Sequence, residues 1–130
     1  MRIKLLLIAG MLLLGGTGCK KYPENPNFAF WPRKERMEGK WVANDVKKGS
    51  SDSTGFYRSW VWEFTRHGTV IVTTGSIKRL GTWTTGNNDE DFLIDYDDGA
   101  RETYRILKLL RKDFWLRDKK TELEFHLESQ

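Results

Sequence analysis

The chain has 130 residues, 38% of them hydrophobic, with 22 Lys+Arg against 18 Asp+Glu. That length holds one domain beyond a leader. The small cationic excess argues against a nucleic-acid-binding surface, and a single cysteine rules out an intramolecular disulfide.

Two cations, Arg2 and Lys4, open the chain, and the uncharged run Leu5 to Leu14 follows. Small residues, Gly15-Gly16-Thr17-Gly18, then lead to Cys19. A basic start, about ten apolar residues and a small-residue end make a secretory signal. Ten residues are about half of what a spanning helix needs. The stretch is similar to the bacterial lipobox, with Gly16 three residues before the cysteine where leucine is usual. We therefore expect residues 1–18 to be cleaved and Cys19 to become the lipid-modified first residue. Several acyl chains at ~0.8 kcal/mol per buried methylene anchor a protein durably. Loss of Arg2 and Lys4 leaves 20 Lys+Arg against 18 Asp+Glu, so the mature chain is nearly neutral. All 17 aromatics lie in that mature part, enough to fill the core of a small domain.

Residues 19–38 read as a lipidated tether, because residues 20–36 hold all three prolines. Fully extended, such a segment reaches up to ~50 Å. Phe28, Phe30 and Trp31 are unusual in a solvated linker. They would pack across one end of the domain, or dock at the membrane interface or on a partner. One helical turn is expected at residues 33–37.

From Gly39 to the end the apolar period is two, with turn residues every 8–12 positions. The pattern predicts a first strand near residues 39–46, a polar loop over 49–55, and a second strand near 56–65. Strands follow around 70–72, 77–85, 92–96, 101–109 and 114–116, with a last one carrying Leu123, Phe125 and Leu127. Asp97-Asp98-Gly99 is a hairpin signal. Eight short antiparallel strands in succession leave two raw edges unless the sheet closes, and closure into a barrel removes them. The expected fold is all-β: a small eight-stranded up-and-down barrel over residues 39–130.

Gly39-Lys40-Trp41 matches the Gly-x-Trp at the start of lipocalin barrels. Taken with residues 62–69 (Trp-Glu-Phe-Thr-Arg-His-Gly-Thr), Gly81-Thr82-Trp83, Tyr104-Arg105-Ile106-Leu107, Phe114-Trp115-Leu116 and Cys19-Lys20-Lys21-Tyr22-Pro23, the chain resembles a group of uncharacterised lipocalin-like lipoproteins of the Bacteroidetes. The resemblance covers nearly the whole mature chain. It implies an outer-membrane-associated barrel with no assigned activity. Lys20-Lys21 stands where surface export in that phylum is associated with an acidic stretch, which favours the periplasmic face. In such barrels an arginine covers the first-strand tryptophan, a place Arg33 or Arg36 could take over Trp41.

Motifs for chemistry are few. A metal site needs several converging ligands, and the mature chain offers His67 in a turn and His126 on an outward face. No metal or cofactor is expected. Asp89-Glu90-Asp91 and Asp97-Asp98 match no calcium-loop spacing and belong to opposite ends of a strand roughly 15 Å long. Ser50, Ser51 and Ser53 sit in a loop with no base nearby, so no activated nucleophile is expected and the protein is read as non-enzymatic. Lys108, Arg111, Lys112, Arg117, Lys119 and Lys120 surround two turns and would form a solvated rim or meet anionic headgroups.

The inward face is the most informative feature. Gly39 and Trp41 are expected at a barrel end, with Trp41 as a plug. Trp60, Trp62, Phe64, Trp83 and Tyr104 would line the interior, and Arg58 or Arg79 shares their parity and could project into the mouth. Two functions follow. A hollow barrel would hold a small apolar or amphiphilic ligand with an acidic head. A barrel filled by its own side chains, which eight strands just allow, would serve as a structural or interaction module for an envelope protein partner.

Overall fold

The computed structural model describes residues 22–23 and 33–130. Cys19, the leader, Lys20-Lys21, Phe28, Phe30 and Trp31 lie outside the described residues.

A short helix α1 (Arg33–Met37) precedes the strands β1 (Gly39–Lys48), β2 (Ser51–Asp52) and, after a helical turn α2 (Thr54–Tyr57), β3 (Trp60–Phe64). Six more strands follow: β4 (Thr69–Thr74), β5 (Ile77–Gly86), β6 (Asp91–Tyr96), β7 (Arg101–Leu109), β8 (Asp113–Asp118) and β9 (Glu124–Ser129). Every pairing is antiparallel, and β1 pairs with both β3 and β9. Eight strands thus close into a barrel, the architecture expected from the sequence. The two-residue β2 only extends β1 as a hairpin.

Period-two alternation aims the large apolar side chains inward, and two bulges rescue it where the sequence breaks step. In β1, Trp41 and Ala43 share a face, yet Val46 is also fully buried. A register shift against β9 between Ala43 and Asp45 brings Val46 inward, as an extra residue in one strand does. In β7 a shift between Ile106 and Lys108 does the same for Leu109. One departure from the expected strands is local. Residues 54–57 form a helical turn that takes Phe56 and Tyr57 out of the expected second strand, because the Thr54 hydroxyl bonds back to Asp52 Oδ1 (2.5 Å) and accepts from the Val46 amide (2.9 Å). Such side-chain bonds to nearby groups compete with a strand ladder.

The two ends of the barrel differ. At one, which we call the closed end, α1 lies across the strand ends. The Arg36 guanidinium is buried there and donates to the Leu109 carbonyl (2.6 Å). Trp41 is 1% exposed; its indole donates to the Met37 carbonyl (3.0 Å), and its ring packs on Phe114 at 5.5 Å. Gly39 joins helix to strand with φ +125°, a conformation open to glycine and strained for other residues. A second Gly-x-Trp, Gly81-Thr82-Trp83, serves the same end, where the Trp83 indole donates to the Thr65 carbonyl (3.0 Å). A methyl at Gly81 would overlap the Asp95 carbonyl oxygen and sit 2.8 Å from Tyr96 Cα, so β5 and β6 approach too closely there for a side chain.

Tyr22 changes the reading of the tether. It is 1% exposed and packs with the core, and its hydroxyl donates to the Asp89 carbonyl in the β5–β6 loop (2.9 Å). The chain is therefore held to the closed end three residues after Cys19, and the fully extended spacer allowed by the proline content is not what the fold uses.

Trp41→Ala should lower the urea midpoint clearly, since truncating a buried Trp or Phe typically costs ~3–5 kcal/mol. Gly81→Ala should also destabilise, by ~1–3 kcal/mol as overpacking does. A midpoint within error of wild type for either variant would contradict the packing described here.

Candidate functional site: the open mouth of the barrel

The interior is filled. Phe64, Phe92 and Phe114 pack edge to face with centroids 4.9–6.1 Å apart, and Trp83 stacks on Phe92 at 5.5 Å. Such geometries suit the charge distribution of aromatic rings. The void left among Trp62, Phe64, Ile94, Tyr104, Leu116, Phe125 and Leu127 is about 10 Å³, about enough for one water, and apolar cavities stay dry.

Above this core, at the open end, a recess of about 160 Å³ remains. Its walls are the rings of Tyr57, Trp60, Trp62, Tyr104 and Phe125, and its polar groups come from Arg79, Glu102, Asp118 and Thr121. The helical turn α2 swings Tyr57 over the mouth, where it meets Trp60 at 4.8 Å and Phe125 at 5.0 Å, both edge-on. Phe56 stands on the rim, 68% exposed, against Tyr57 and Trp60.

One carboxylate organises the polar side. Tyr96 and Tyr104 both donate to Glu102 Oε1, at 2.8 and 2.9 Å. Burial and then the Glu102 charge push both phenols well above the ordinary tyrosine range, so they remain donors at any physiological pH. Burial first, then Glu102 and Asp118, shift Tyr57 the same way. Arg79 is engaged elsewhere: its guanidinium lies 3.6 Å over the Tyr96 ring and pairs with Asp98 at 3.0 Å.

The residues singled out from sequence divide accordingly. Trp60, Trp62, Tyr104 and Arg79 line the recess. Phe64 and Trp83 belong to the packed lower half, and Trp83 also borders a separate recess at the closed end. Arg58 is exposed at the end of α2 and is not among the residues around the mouth. Sequence reasoning passed over Tyr57, assigned to a strand, and Glu102 and Asp118. Both acids keep the inward parity of their strands, with Tyr104 and Leu116 two residues away, so the period-two rule carried to the strand ends would have found them.

Elsewhere the polar groups pair locally. His126 lies flat on Trp115 at 3.7 Å and contacts Glu124 (2.7 Å), partners not evident from sequence. The basic residues are divided between both ends: Lys119 pairs with Asp91, Arg117 with Glu124, and Lys108 lies over the Trp115 ring. They form no single rim. Among the described residues no group of three or more His, Cys, Asp or Glu could hold a metal. No helix of the described residues is long and apolar enough to cross a membrane. No protein-family profile, curated protein or solved structure matches the chain.

The phenol shifts carry a pH dependence with a definite sign. The folded state holds the Tyr96 and Tyr104 protons more tightly, so their contribution to stability is complete below the unfolded tyrosine value of about 10. It is lost as pH rises above that value. The urea midpoint should therefore fall from about pH 9 to about pH 11. In Tyr96→Phe the fall should be smaller. Equal falls in both proteins would remove Tyr96 from the linkage.

Proposed function

We propose that this protein is a non-enzymatic, lipid-anchored envelope protein whose filled barrel is a scaffold presenting its open end. The observation that carries the reading is the 10 Å³ interior beneath a 160 Å³ recess. Pockets that enclose a small molecule run to ~300–1,000 Å³, so neither the interior void nor the open-end recess has room for an acyl chain. What it offers is a shallow aromatic dish with an exposed rim. Of the two functions read from sequence, packing favours the interaction module over the carrier of apolar ligands.

The basic start, apolar run and small residues before Cys19 support the anchor. The likeness to lipocalin-like lipoproteins of the Bacteroidetes and Lys20-Lys21 support placement on the periplasmic face of the outer membrane. Given that anchor, Tyr22 orients the barrel. Three residues span at most about 11 Å, so an acylated Cys19 holds the closed end near the bilayer. Strands of up to ten residues, tilted as in small barrels, put the open end roughly 25 Å further out. The dish then faces a soluble ligand or a neighbouring envelope component.

Cells grown with labelled fatty acid should incorporate it into the protein, which should partition with membranes; Cys19→Ala should abolish both. Label retained by the variant would mean that the lipid is elsewhere. The mature chain should show no saturable binding of a fluorescent fatty acid, and saturable uptake into the barrel would restore the carrier reading.

A further inference from the structure

We infer that the open-end recess is a binding site for a quaternary ammonium group, held by ring faces and by the charge of Glu102 and Asp118. The inference deepens the reading of the open end as a recognition surface and rests on it.

Three observations converge. First, the walls are rings, several of which meet at steep angles: Tyr57 against Trp60 at 62°, Tyr57 against Phe125 at 81°, and Tyr104 against Phe125 at 86°. Rings at these angles border the recess from several sides, and the negative face of an aromatic ring attracts a cation within about 6 Å of its centroid. The protein already uses this attraction at the same mouth, where Arg79 sits 3.6 Å over Tyr96.

Second, the charge has the right sign. Asp98 pairs with Arg79 at 3.0 Å, and among the described residues Glu102 and Asp118 are the recess charges with no ion-pair partner. Glu102 Oε1 accepts both phenols, and Oε2 has no hydrogen-bond partner among the described residues. Asp118 Oδ1 accepts the amides of Lys120 and Thr121, which fixes the second carboxylate in place. An acidic headgroup would meet two like charges here and find the nearby arginine occupied.

Third, the size fits. A cavity of about 150 Å³ holds a benzene ring, so 160 Å³ takes a group of about that size, such as a nitrogen with four carbons. A methylated ammonium packs its methyl groups on the rings and needs no hydrogen bonds. A primary ammonium brings three donors that must all be satisfied on leaving water, and a mostly aromatic wall serves them poorly. The chemistry is the same whether the group is carried by a free solute or by a lipid head.

The test uses the full mature chain with Cys19→Ala to keep it in solution, titrated with choline and followed by tryptophan emission. Choline should bind saturably. Its neutral carbon isostere, 3,3-dimethylbutan-1-ol, and ethanolamine should each bind at least about tenfold more weakly. Glu102→Gln keeps an oxygen for the phenols and Asp118→Asn keeps one for the turn amides, so both should fold. Each should weaken choline binding several-fold while the urea midpoint stays near that of the parent chain. Arg79→Gln, which removes a like charge, should tighten it.

Absence of saturable choline binding overturns the inference. So does equal affinity for the neutral isostere, tighter binding of ethanolamine, or parental affinity in both carboxylate variants. Vesicles of phosphatidylcholine and of phosphatidylglycerol separate the sources. Retention on the first alone assigns a lipid head, and choline binding without retention assigns a soluble ligand. Fatty-acid labelling reports on the anchor independently, so loss of choline binding with labelling intact removes the ligand assignment and leaves the anchored scaffold standing.

Discussion

The structure depends on the pairing of its first strand with its last. β1 and β9 exchange a ladder from Trp41 opposite Ser129 to Lys47 opposite Glu124, between segments more than 75 residues apart. Without that seam the sheet has two open edges, and an exposed edge is a template for association. With it, every strand of the barrel is bonded on both sides, and the inward side chains share one enclosed volume. The bulge at Ala43–Asp45 is part of the seam, since it keeps Trp41, Ala43 and Val46 all inside although their spacing is uneven.

Closure sets how much the interior can hold. Eight strands enclose little more than their own side chains, and this chain places Trp41, Phe64, Trp83, Phe92 and Phe114 among the aliphatic residues of the lower half. Rings of that size interlock edge to face and leave almost no void. At the mouth space survives above the packed core, because there the polar residues Arg79, Glu102 and Asp118 hold the inward positions and cannot be packed dry. Burying an unpaired carboxylate costs heavily, so Glu102 stays at the rim of the core. There the Tyr96 and Tyr104 hydroxyls satisfy one of its oxygens. The polarity that forbids filling the mouth is also what gives the recess its electrostatic character.

The same contrast separates the two ends. At the closed end three features, α1, Trp41 and Tyr22, put apolar surface and backbone carbonyls together, and two indoles and a guanidinium satisfy main-chain oxygens. At the open end α2 covers only part of the rim and leaves Phe56 in solvent. Tyr22 and α1 thus sit at the closed end, and among the described residues only α2 leans over the open one.

Much of this was legible in the residues themselves. Alternation is a local property, so most strand positions and the closed meander followed from period and turn chemistry, while the resemblance of Gly39-Lys40-Trp41 to the start of lipocalin barrels implied the helical turn and the barrel-end place of Trp41. What the tertiary structure decided were matters of three-dimensional fit. Whether a barrel is hollow depends on how rings from different strands interlock, which no single strand's pattern encodes. The diversion of Tyr57 from strand to helical turn rests on Thr54 bonding across to Val46, and the occupation of Arg79 depends on Tyr96 and Asp98 arriving from another hairpin. Tyr22, in a proline-containing stretch with no periodicity, had no local signal at all. Its place beside Asp89, 67 residues away, exists only because the closed barrel creates a surface there to receive it.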